Sequence, residues 1–324
     1  LIGITCACTA WGQSAFTSGG KLKPEQAVMD VRHYTISLEV DTLAKSISGY
    51  TIIDVQMLEP ARVLIFDQLA SFAISRITVN NKLQPFTYTN NVITITLTEV
   101  LQPGRSLVRV DYTGKPHVAI RPPWDDGFTW AKDSYGNAWI AVTAEGTGGK
   151  LYFPCKDHPS DEPNEGADLL ITVPENLVVA GPGLLQKTIK KKHKITYHWK
   201  TTYTINNYSI VFNAAAYSVV SKEYTTVKGN KVPMQFYVLK ENAEKAAHLM
   251  EIFEHSAQVQ EKYFGEYPWV KEKIAIAETP HLGMEHQTMN AYGNKFRYNK
   301  IGNRDFDGLL HHELGHEWWG NKVT

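Results

Sequence analysis

The chain has 324 residues, 43% of them hydrophobic and 20% charged, with 33 basic and 33 acidic side chains that cancel. That length supports two ordinary hydrophobic cores, and the balanced charge argues against a nucleic-acid-binding protein, which shows a basic surplus. No apolar run reaches the roughly eighteen residues that a membrane-crossing helix needs.

The chain opens on "LIGITCACTA", apolar, uncharged and without an initiating Met. It reads as the tail of a trimmed export signal, so the protein is expected to be periplasmic, cell-surface or secreted. An ordinary N-terminal strand is the alternative, since the basic flank of a signal is missing. A lipid anchor at Cys6 or Cys8 is disfavoured by Gly3 and Thr5 three positions ahead of them. Residues 14–27 carry Ser, Gly and Pro without periodicity and predict a flexible lead-in. Residues 1–24 are thus assigned to signal remnant and lead-in.

From Val31 the pattern becomes that of half-buried strands: Tyr34, Ile36, Leu38 and Val40 alternate with polar residues, and Ile93, Ile95 and Leu97 repeat the period. Asn80-Asn81, Asn90-Asn91 and Pro103-Gly104 supply turns. The lysine-rich "KTIKKKHK" (187–194) lies between two strand-like runs and predicts a solvated hairpin. Many short strands with few helical windows predict a β-rich saddle or sandwich over residues 25–218. Cys155 is the only cysteine in this body, so no disulfide framework supports it, and no CxxC pair offers a thiolate zinc site.

From 219 to 324 the register changes. Ala246, Met250, Phe253, Ala257 and Phe264 form one stripe of an amphipathic helix closed by Gly265 and Pro268. "PMQFYVL" and "KIAIAETP" read as flanking strands. A second helix is predicted over Phe306–Trp319, capped by Asp305 or Asn303 and ended by Gly320-Asn321. This is the start of an α+β domain.

The second helix carries "HELGH". His312 and His316, four apart, share one face with Cβ atoms about 5–6 Å apart, within reach of one zinc ion. Glu313 beside them can act as general base toward a zinc-activated water. Leu310, Leu314 and Trp318 form a second row that can anchor the helix in the core. Two ordinary surface histidines are the alternative, and His255 and His311 show that histidine alone proves little. Upstream, Gly283 in "HLGMEHQTMNAYG" allows close approach of a strand edge to a ligand, and Glu285 has a use in pairing a free α-ammonium. Glu285, like Glu145 of "AEGTGGK", is on its own also explicable as plain surface charge. The glycines of "EGTGGK" lack the spacing of a phosphate-binding loop.

Taken together, "GMEHQ", "HELGHEWWGN" and "EGTGGKLYFPCKDHP" resemble the aminopeptidase N family of gluzincin metallopeptidases, which includes leukotriene hydrolase. The resemblance implies a β-rich N-terminal domain followed by a thermolysin-like catalytic domain. It also implies zinc held by His312 and His316, with Glu313 as general base. Glu285 and Glu145 would bind the substrate's free N-terminus, and Gly283 and Met284 would line the substrate strand. Two departures stand out: His286 replaces the family's usual Asn, and the family's third zinc ligand and transition-state Tyr would both lie past Thr324. The chain is therefore expected to be cut within its catalytic domain and to be inactive alone.

The resulting reading is a zinc aminopeptidase acting on peptides with a free N-terminus. Competing readings are an inactive peptide-binding or adaptor paralogue, an endopeptidase of thermolysin type, and a carbohydrate-binding or adhesion sandwich using Trp124, Trp130, Tyr135 and Trp139. An endopeptidase would have no reason for the Glu145 and Glu285 pair.

Overall fold

The computed structural model describes residues 17–323. The apolar opening with Cys6 and Cys8 lies outside them. From Thr17 onward the expected flexible lead-in is instead pinned to the body. The Thr17 carbonyl accepts a bond from Lys150 Nζ at 2.6 Å, the Ser18 hydroxyl donates to Asp157 at 2.8 Å, and Lys23 and Gln26 both reach Asp67. Polar side chains, not apolar periodicity, hold this segment, which is why its composition reads as loose.

Period-2 alternation builds an eight-stranded sheet whose middle is Ala167–Pro174, Met29–Asp41, Ser46–Met57 and Gly104–Gly114. All its neighbours are antiparallel except Met29–Asp41 against Ala167–Pro174. A register shift between Val31 and His33 lets Val31 and Tyr34 both face inward, as an extra residue in a bulge does. A three-stranded sheet, with Ile93, Ile95 and Leu97 facing inward, joins the same apolar cluster. The lysine-rich stretch is a hairpin, Leu184–Lys191 against Lys194–Thr201, with its lysines exposed.

A four-stranded sheet of Gly127–Lys132, Ala138–Thr143, Asn213–Ala215 and Val178–Ala180 carries the chain toward the site. Two of the aromatics considered for sugar stacking are structural here. Trp130 stacks on Phe128 with ring centroids 5.6 Å apart, and Trp139 donates from Nε1 to the Glu278 carbonyl at 3.1 Å.

Next comes a five-stranded sheet, in which Lys231–Leu239, Ile274–Glu278 and Asn290–Tyr292 run parallel and Tyr217–Thr225 and Gly283–Met284 run antiparallel at its edges. The helix Ala246–Phe264 packs on it through Ala246, Met250, Phe253 and Ala257. Phe264, assigned to that stripe, is 46% exposed, because the helix ends there at Gly265, whose φ of 85° no side chain favours. The second helix is shorter than expected, Gly308–Gly315, and its cap is Asp307, not Asp305 or Asn303. Arg304–Phe306 is engaged in a two-stranded ribbon with Asn299–Ile301, so the helix starts after it. Asp307 accepts from Leu310 N at 3.1 Å and from the Tyr292 hydroxyl at 2.8 Å. Leu310, Leu314 and Trp318 are buried as the anchoring row. Among the described residues no helix is long and apolar enough to cross a membrane.

Candidate metal centre

His312 and His316 turn their rings toward each other, with centroids 4.7 Å apart and Nε2 atoms 3.2 Å apart. Two nitrogens bound to one tetrahedral zinc at roughly 2.0–2.1 Å would stand about 3.3 Å apart, so the pair fits that ion. The tautomer fits as well. His316 Nδ1 lies 2.8 Å from the Trp319 carbonyl, which can only accept. The proton therefore sits on Nδ1, and the Nε2 lone pair faces His312. Among the described residues, His312, Glu313 and His316 are the group whose ligand atoms come within 4.8 Å of one another.

These residues line one cavity of about 340 Å³, together with Glu145, Gly283, Met284 and Glu285. The structure thus brings together all seven residues singled out in the sequence. Pro123, Trp124, Leu282 and Leu309 give the cavity an apolar wall. Glu145 comes from the loop after Ala138–Thr143, which Ser18 N and Asp126 hold by bonds to Gly146 and Thr147. Glu285 follows the edge strand Gly283–Met284.

Carboxylates that share one cavity repel one another, and Glu313 and Glu145 respond with raised proton affinity. Burial, then the charges of Glu285 and Glu145, push the Glu313 carboxyl up to about 8. Glu145, at the open side, is raised by partial burial, by Glu285 and by Asp126, while His316 opposes this. The cavity is therefore an electronegative place that a cation would relieve. At Gly283 the close approach is to the protein itself: a Cβ there would stand 2.3 Å from Glu313 Oε1 and 2.7 Å from Leu309 Cδ1. The glycine lets the edge strand lie against Glu313.

Several residues of the site were not foreseen. Glu317 is fully buried and accepts from Thr288 N at 2.9 Å, Trp269 Nε1 at 2.8 Å and Asn321 Nδ2 at 3.3 Å. The same Asn321 amide donates to the Glu285 carbonyl at 2.9 Å, and the Tyr208 hydroxyl donates to Glu285 Oε1 at 3.2 Å. Glu317 had a signal, since it lies seven and three positions after Leu310 and Leu314, on the face already read as buried. Tyr208, 77 positions before Glu285, had none. His286, which departs from the family's Asn, is buried, and neither of its ring nitrogens has a hydrogen-bond partner among the described residues. Burial and His281 lower its proton affinity to about 3, so it is neutral.

No family model matches the chain. Along 90% of its length it is 23% identical to aminopeptidase N of Lactobacillus delbrueckii subsp. lactis, covering 34% of that protein. It is 20% identical to leukotriene A-4 hydrolase of Xenopus laevis over 91% of the chain and 48% of the relative. The chain spans about a third of the length of the first curated relatives it matches. Among solved structures, a mutant of the M1 zinc metallopeptidase from Deinococcus radiodurans shares the fold, with TM-score 0.76 and 22% identity, over 96% of this chain and 69% of that one. Yeast LTA4 hydrolase does so with TM-score 0.72 and 17% identity, over 91% and 45%.

Proposed function

We propose that this chain, a relative of the aminopeptidase N family along nine-tenths of its length, carries most of the active site of a zinc aminopeptidase. Residues 25–218 would form its N-terminal β unit and 219–324 the beginning of its catalytic unit. The observation that carries the proposal is one cavity shared by two convergent imidazole nitrogens and three carboxylates.

His312 and His316 would hold zinc through Nε2. Bound there, the ion supplies Lewis acidity toward a peptide carbonyl and toward water. Glu313 takes the proton that water loses on attack and passes it to the departing amine nitrogen. Glu285 and Glu145 pair with the substrate's α-ammonium and fix the chain end. Only the first peptide bond then reaches Glu313 and the imidazoles. Gly283 and Met284, at the sheet edge, offer backbone to the extended substrate. An endopeptidase would have no use for the second and third carboxylates, Glu145 and Glu285, in this cavity.

Among the described residues His312 and His316 offer two nitrogen ligands, where catalytic zinc sites have three protein ligands. The 324-residue chain alone is therefore expected to lose zinc on dialysis and to turn over poorly. The test is metal content and hydrolysis of a chromogenic aminoacyl substrate by the full-length protein, beside its N-acetylated counterpart. Stoichiometric zinc with cleavage of the free-amine substrate alone is expected. Equal cleavage of both substrates would overturn the aminopeptidase reading.

A further inference from the structure

Glu285 is held at both ends by groups from distant parts of the chain. Asn321 fixes its main-chain carbonyl at 2.9 Å, and the Tyr208 hydroxyl fixes one carboxylate oxygen at 3.2 Å. Tyr208 belongs to the short turn Asn207–Ser209. That turn is itself tied to the site. Asn206 Nδ2 donates to the Gly320 carbonyl at 3.1 Å, just past the His-bearing helix, and Gln287 Nε2 donates to the Thr204 carbonyl at 3.1 Å, two residues after Glu285.

From this arrangement we infer that Tyr208 is a positioning residue for amine recognition, holding the Glu285 carboxylate where it and Glu145 together receive the substrate's ammonium. The inference rests on the aminopeptidase reading above. Its physical basis is that Glu285 and Glu145 repel each other across the cavity, so an unrestrained Glu285 would rotate away from its partner. A hydroxyl bond to one oxygen prevents that rotation and leaves the other oxygen for the ligand. The donor's neutrality matters too. A lysine or arginine in its place would cancel the charge that the ammonium needs, whereas a phenol leaves it intact. Burial and the charges of Glu285 and Glu145 keep the Tyr208 proton in place. The charged groups around it are those two glutamates and, across a neighbouring cavity, Asp157, Asp161, Glu162 and His158.

The test is calorimetric binding to the zinc-loaded full-length protein of L-leucinol and of 4-methylpentan-1-ol, which lacks only the amine. Neither is hydrolysed, so the readout is independent of turnover. Wild type should prefer leucinol, and Tyr208→Phe should weaken leucinol about tenfold, the worth of one hydrogen bond to a charged group, with the plain alcohol unchanged. If wild type prefers leucinol and the variant binds both ligands as wild type does, the positioning role is wrong. Equal weakening of both ligands would mark Tyr208 as merely structural and likewise overturn it. If wild type does not distinguish the ligands, the aminopeptidase reading fails and takes this inference with it. A second arm does not depend on the phenylalanine variant folding. 3,5-Difluorotyrosine at position 208 keeps the shape but loses its proton at lower pH than tyrosine, so leucinol preference should fall at lower pH than in wild type. Superimposable profiles would overturn the inference.

Discussion

Glu313 lies on the helix Gly308–Gly315 and Glu317 in the turn just after it, and their surroundings are opposite. Glu317 faces the core and is met by a backbone amide, an indole and a side-chain amide. Glu313 faces the cavity beside Gly283, and none of the described residues donates a hydrogen bond to it. A largely buried carboxylate without protein donors carries a cost of desolvation, which shows in its raised proton affinity. Glu317 fixes the helix to the sheet, whereas Glu313 is left free for chemistry.

That contrast is broken most directly by exchanging each acid for a neutral residue. Glu313→Gln should lower hydrolysis by the full-length protein about 10³-fold, the scale of a lost general base, while its urea-unfolding midpoint holds or rises. A variant that instead unfolds early would show Glu313 to be structural. Glu317→Leu should do the reverse. Thr288 N, Trp269 Nε1 and Asn321 Nδ2 lose their acceptor inside the core, at a combined cost of about 3 kcal/mol. Urea unfolding measures this, and an unchanged midpoint would mean that water replaces the carboxylate.

Gly283 sharpens the comparison from the strand side. A methyl at this position would collide with Glu313 Oε1 and Leu309 Cδ1, and relieving the first contact displaces the carboxylate proposed as general base. Gly283→Ala should therefore reduce kcat about tenfold, a modest misplacement of a catalytic group, with zinc content unchanged. The stability loss should stay at about 1–2 kcal/mol. A fall in zinc content parallel to kcat would instead place the damage at the imidazoles.

Legibility from the sequence follows the same division. The strands were readable because each buries one face: Tyr34, Ile36, Leu38 and Val40 are all buried in the structure. The face shared by His312 and His316 was readable because four residues make about one turn of helix. Polar ties between distant segments leave no periodic trace. Tyr208 meets Glu285 only because two sheets bring their loops together, and nothing near either residue announces the other. The lead-in failed for the same reason, since Thr17, Ser18, Lys23 and Gln26 are held by isolated polar bonds, among them those to Lys150, Asp157 and Asp67. Asp305 was displaced as cap in favour of Asp307 by a short ribbon whose strands, Asn299–Ile301 and Arg304–Phe306, are too brief to show alternation.

A third carboxylate, far from the cavity, supplies the control for both acids. Asp168 lies on the large sheet with His33 Nε2 at 3.0 Å, His198 bonded to its other oxygen and Lys200 at 3.6 Å. Partial burial raises its proton affinity, but His33, His198 and Lys200 together outweigh that and hold it at about 2. Its folded value thus lies below the ordinary carboxylate value of 3.8. The sign follows: the stability it contributes is fully present above about pH 4 and is lost as pH falls through 2. Because the group is only partly buried, solvent screening reduces that contribution to roughly 1 kcal/mol. Asp168→Asn should lower stability by that amount at pH 7, and the gap from wild type should close toward pH 2 in urea-unfolding curves. Hydrolysis of a free-amine substrate should not change. A gap that persists at pH 2 would mean that Asp168 acts through packing and not through its charge.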